Sequence, residues 1–88
     1  MPSVTKLGDQ DYQELVLDGV NFTVTAEAGI TELLWVTAGS GVPANTVQGS
    51  KIDPKTRPGW SRTNNFPAGD VYYKAGSAGG KSRVTVIT

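Results

Sequence analysis

Apolar and polar residues alternate along 13–25, with the phase reversing once. Leu15 and Leu17 share one face with Val20, Phe22 and Val24, and Glu14, Val16, Asn21 and Thr23 share the other. A period of two belongs to strands with one buried face. Asp18-Gly19 lies at the reversal. That dipeptide suits a two-residue hairpin turn, whose central positions both need φ > 0. Pairing Leu17 with Val20 would set Leu15 opposite Phe22 and Gln13 opposite Val24. The pattern therefore predicts a hairpin.

The remaining strands are short. Residues 30–37 hold Leu33, Leu34, Trp35 and Val36 without alternation. That predicts a strand covered on both faces, or one whose second face meets a partner. Ile30, Leu33 and Leu34 would also fit one helical turn. Residues 38–50 read as a polar, glycine-rich loop around Pro43, with short strands at 50–53 and 59–63. Residues 64–69 read as a turn before a strand at 71–75, and 75–80 as a flexible hairpin loop. In 82–87, Val84 and Val86 face one way, and a leading strand falls near Val4. The longest stretch free of Gly and Pro is 9–18, ten residues, so an ordinary helix would have to contain a breaker. The expected fold is all-β: an antiparallel two-sheet β-sandwich, jelly-roll-like, with about eight short strands. One domain spans 1–88, with residues 1–10 a candidate N-terminal arm.

Size sharpens this. A chain of 88 residues and 9.3 kDa exposes about 5,000 Å² when folded and buries only about 63% of its unfolded surface. Such a small core gains from lying against another surface. The chain contains no Cys and no His, which excludes disulfides, thiol catalysis, imidazole bases and metal sites built on those ligands. The N-terminus lacks an apolar signal region, and no apolar run is long enough to span a bilayer. The chain reads as made and kept soluble.

The net charge is zero, but unevenly laid out. Residues 1–44 carry one cation against six anions (−5), and residues 45–88 carry seven cations against two anions (+5). Either the halves complement each other within one fold, or an acidic face of one copy meets a basic face of the next. Both fit better than a nucleic-acid binder, which is usually net basic.

Apparent chemical motifs dissolve on inspection. Ala75-Gly-Ser-Ala-Gly-Gly80-Lys81-Ser82 fits a relaxed phosphate-loop pattern, yet a strand-like segment follows where a helix is required. Asp9-Gln10-Asp11 lacks the spaced oxygen ligands of a calcium loop. Asn21-Phe22-Thr23 matches a glycosylation acceptor but lies mid-strand. Residues 51–62 interleave cations with Trp60, as a nucleic-acid groove would, but surface cations beside one buried Trp are commoner. Trp60, Tyr72 and Tyr73 near Asn64, Asn65 and Asp70 could form a sugar platform, but consecutive tyrosines on a strand face opposite ways. Ser61 and Ser82 have no His base, and no carboxylates pair to tune one another.

The order of features resembles a known group. Leu34-Trp35-Val36-Thr37, a glycine-rich loop, Pro58-Gly59-Trp60, Gly69-Asp70-Val71-Tyr72-Tyr73 and a terminal Val84-Thr85-Val86 follow one another. This is similar to small all-β bacteriophage virion proteins, including capsid decoration proteins and head- or tail-fibre modules, over about 20–88. The resemblance implies a non-enzymatic protein used in many copies, without cofactor or metal. Expected partners are other copies and the major capsid protein, with no nucleic acid and no membrane. The expected location is the capsid surface of the virion, reached from the host cytoplasm during assembly. The alternative is a fibre module that binds a host glycan or surface protein; a small jelly-roll enzyme is weighed below both. The predicted interface centres on Leu34, Trp35, Val36 and Tyr73, with Arg57, Trp60 and Arg62 at its rim.

Overall fold

The computed structural model describes residues 3–16, 22–55, 61–64, 69–77 and 79–87, with the backbone alone described for 61–64. Eight strands follow in order: β1 (Ser3–Gly8), β2 (Gln13–Val16), β3 (Phe22–Ala28), β4 (Thr31–Val36), β5 (Ser50–Ile52), β6 (Ser61–Asn64), β7 (Asp70–Ala75) and β8 (Ser82–Ile87). No helix occurs among the described residues. Two four-stranded sheets form, ordered β1-β8-β3-β6 and β2-β7-β4-β5, and every pairing is antiparallel.

The pairing follows a simple rule. Residue 3 meets 87, 13 meets 73, 22 meets 64 and 31 meets 52. The first half of the chain thus runs antiparallel to the second along one ribbon, closed at the 37–49 loop. Successive lengths of that ribbon enter alternate sheets, and the β3–β8 and β4–β7 ladders join them.

The predicted hairpin is corrected. β2 pairs with β7, and β3 pairs with β6 and β8, so the two strands lie in different sheets. Alternation had marked which side chains turn inward, and that part holds: Leu15, Phe22 and Val24 meet in one core, from opposite sides. Residues 17–21, with the Asp18-Gly19 turn, lie outside the described residues. The N-terminal arm is corrected too, because Ser3–Gly8 is an integral edge strand of the first sheet.

The core lies between the sheets. Phe22, Val24, Ala26, Val84 and Val86 project from the first sheet, and Leu15, Val16, Leu33, Ile52, Val71 and Tyr73 from the second. A bulge between Glu14 and Val16 breaks the alternation of β2 and lets Leu15 and Val16 both turn inward. Trp35 stacks across the gap on Phe22, with centroids 6.5 Å apart and planes at 25°. The surface of 5098 Å² matches the roughly 5,000 Å² expected of a compact monomer of this mass. The slab measures 31 × 30 × 17 Å.

Gly29 makes the crossing from β3 in the first sheet to β4 in the second. Its φ is +72°, and a Cβ there would collide with the backbone carbonyl of Lys81. Gly29→Ala is expected to cost about 1–3 kcal/mol from backbone strain, more with the collision. Urea unfolding checks this, and an unchanged midpoint would contradict the crossing.

Candidate contact surfaces

The outer face of the second sheet is closed by the chain itself. On β4 and β7, Leu33, Trp35, Val71 and Tyr73 turn to the core, which leaves Glu32, Leu34, Val36, Tyr72 and Lys74 on the outside. Such a face is ordinarily wet, yet Glu32 and Tyr72 are each only 3% exposed. The 37–49 loop is tied to that face at Asp70 and Glu32, and beside it at Asp11 and Tyr12. The Gly39 N–H donates to Asp70 Oδ2 (3.0 Å), and Asn45 Nδ2 donates to Asp11 Oδ1 (2.8 Å). The Val47 carbonyl lies 2.6 Å from the Tyr12 hydroxyl, and the Gly49 N–H donates to Glu32 Oε2 (2.7 Å). The loop is therefore a strap bound at four points.

Glu32 is the anchor of that strap. The Tyr12 hydroxyl lies 3.0 Å from Glu32 Oε2, so one phenolic proton faces two acceptors, the carboxylate and the Val47 carbonyl. Lys74 Nζ is 3.7 Å from Glu32 Oε1 and 5.4 Å above the Tyr12 ring. Burial pushes the Glu32 carboxyl up, but the Gly49 N–H, the Tyr12 hydroxyl, Lys74 and Lys51 outweigh it and hold the group below its ordinary value. Burial first, then the Glu32 hydrogen bond and charge, push the Tyr12 hydroxyl well up. Sequence reasoning missed this network. The available signal was an acid, Glu32, set in an apolar strand whose cross-strand neighbours are Lys74 and Lys51.

The predicted interface does not come together. Tyr73 is in the core, 3% exposed, its hydroxyl 2.9 Å from the Leu7 carbonyl. Trp35 is half-buried and packs inward, and Leu34 and Val36 are half-buried on the strapped face. The unalternated apolar run is a strand covered on both sides by its own chain. Arg57 and Trp60 lie outside the described residues. Arg62 lies on β6 in register with Val24, and its side chain is not described. The charged halves meet within one copy where they are described: Arg83 bridges to Glu27 (3.2 Å) and Lys74 to Glu32.

The glycine loop is likewise occupied from within. Gln10 Nε2 donates to the carbonyls of Gly80 (2.6 Å) and Ser77 (3.1 Å), and the Gly79 N–H donates to Gln10 Oε1 (3.1 Å). An N–H that a phosphate would need is spent on the glutamine, and the loop predicted as flexible is pinned. Asp9 Oδ1 accepts from the Gln10 N–H (2.9 Å) while Asp11 holds Asn45, so these carboxylates serve separate contacts. Among the described residues no three His, Cys, Asp or Glu side chains converge. Ser82 is buried, as are both tyrosines of the sugar-platform reading.

Exposed apolar side chains fall on both broad sides of the slab. Leu7 and Ile87 lie on the outer face of β1 and β8 of the first sheet, with Leu7 67% exposed. Val42 and Val47 lie on the strap over the second sheet, with Val42 62% exposed. Between Leu7 and Ile87 the first sheet presents a row of hydroxyls, Thr5, Thr85 and Thr25, in register across three strands. No family model, no curated protein and no solved structure matches this chain.

Two outcomes follow from the internal ties. The Glu32 carboxyl is lower in the folded state than its unfolded value near 4.3, so its stabilisation is present above that pH and disappears as pH falls through the folded value. Glu32→Gln is expected to cost about 1–3 kcal/mol at pH 7 and to flatten the loss of stability below about pH 5. Urea titrations from pH 3 to 7 would show it, and parallel curves for both proteins would contradict it. Gln10→Ala is expected to cost about 1–2 kcal/mol and to speed amide exchange at Gly79, measured by NMR.

Proposed function

We propose that this chain is a non-enzymatic structural protein of a bacteriophage virion that decorates or stabilises the capsid. The observation that carries the reading is the exposed apolar side chains on both broad sides of a thin, internally satisfied slab. A subunit in a shell needs contacts in more than one direction, and modest contacts become strong when several act together. Leu7 and Ile87 on one side, and Val42 and Val47 on the other, suit that arrangement. They replace the interface expected from the sequence, whose described members are taken up by the core and the strap. Partners are further copies of the chain and the major capsid protein. The location is the capsid surface, reached from the host cytoplasm during assembly. Four described polar side chains are committed to holding loops: Glu32, Asp70, Asp11 and Gln10 each accept or donate to one.

A gold-labelled antibody against the chain, applied to purified virions whose genome encodes it, tests the role. Label spread over the capsid is expected. Label confined to fibres would move the assignment to a recognition module for a host glycan or surface protein. Virions without label would overturn both.

A further inference from the structure

We propose that the open edge of β1 pairs antiparallel with β1 of a second copy, joining the first sheets of two molecules into one eight-stranded sheet centred on Thr5. Each sheet ends in two edge strands, and three of the four are short: β2 and β6 span four residues and β5 three. β2 also carries a bulge. Shortness and bulges are ordinary protections against edge-to-edge pairing. β1 has neither. Its six residues keep an unbroken register with β8, from Ser3 opposite Ile87 to Gly8 opposite Ser82. No described strand lies on its other side.

Val4 reveals what is missing. It stands opposite Val86, a core residue, and so turns inward, yet it is 52% exposed. A core-facing valine left half in water marks a sheet that stops one strand short. Lys6 is the single charge on the strand, and its Nζ reaches across the opening to the Glu14 carbonyl (3.2 Å).

Charge and facing together select a second copy and its register. Across a two-fold axis normal to the sheet, opposed residues must face the same side. That allows any residue of the strand as the central pair, but centring on Leu7 engages only residues 6–8, and centring on Ser3 or Gly8 only that one residue. Centring on Lys6 opposes two cations, which is unfavourable. Centring on Val4 engages only residues 3–5 of the described strand. Centring on Thr5 engages residues 3–7, sets each Val4 beside the aliphatic stem of the other Lys6, and places Leu7 against Ser3 on the outer face. Lys6 thus chooses the register without blocking the edge. The contact is small beside the 1,200 Å² or more usual for stable complexes, so the dimer is transient in dilute solution. The pairing supplies one of the self-contacts required by a capsid-decorating role, and rests on that role only for its biological setting.

The absence of cysteine makes a direct test possible. Centred on Thr5, the two Thr5 Cα atoms lie about 4.5 or 5.5 Å apart, either way within disulfide reach. The two Leu7 positions are offset by four residues, about 13 Å along the strand. Thr5→Cys is therefore expected to form a covalent dimer under mild oxidation, and Leu7→Cys alone, though more exposed, is not. A mixture of Ser3→Cys and Leu7→Cys chains should cross-link to each other, which preserves the test if Thr5→Cys misfolds. A monomeric, folded Thr5→Cys chain would overturn the pairing, as would Leu7→Cys self-linking at the same rate. Cross-linking with unlabelled virions would leave the pairing standing and remove the virion role. Labelled capsids without cross-linking would do the reverse.

Discussion

A two-stranded ribbon can bury only one of its faces, and this chain is one such ribbon folded over itself. Every strand of the first half has its partner in the second, and the ribbon switches sheets so that all its apolar faces meet one core. The rest of the molecule depends on that shared core. Val24 and Val84 of one sheet and Leu33 and Val71 of the other are almost wholly removed from water. The crossings between sheets must be tight, which is why Gly29 sits against the Lys81 backbone at the step from β3 to β4.

The second sheet carries a further layer that the core does not require. The strap over its outer face converts a wet surface into a second, polar interior. A buried carboxylate is costly unless its lone pairs are used and its charge is balanced. Glu32 meets those conditions through an amide, a phenol and an ammonium from three separate parts of the chain. The same tie orders residues 37–49, which would otherwise be a long open loop. It also consumes the surface that the apolar run of β4 had seemed to offer to a partner.

Among the described residues, Glu32, Asp70, Asp11 and Gln10 are each committed to holding a loop. The exposed large apolar side chains among the described residues are Val4, Leu7 and Ile87 of the first sheet and Val42 and Val47 of the strap. The capsid-decorating role proposed above rests on these exposed apolar side chains.

Strand positions were legible in the sequence because glycine and proline punctuate it and alternation reports the buried face locally. Phe22, Val24, Val84 and Val86 turn inward as their spacing requires, and seven strands fall within a residue or two of the pattern. Alternation does not report which sheet a strand joins, because strands on opposite sides of one core bury the same kind of face. The Asp18-Gly19 signal therefore implied a neighbour, β2 beside β3, where the fold places the two strands in different sheets. Tyr73 and Trp35 had the composition of an interface, and only the packing assigned them to the core. The Glu32 anchor and the Gln10 plug join residues far apart in the chain through single hydrogen bonds, which leave no periodic trace. Those contacts exist only once the ribbon has folded, and they decided which surfaces of this protein remain open.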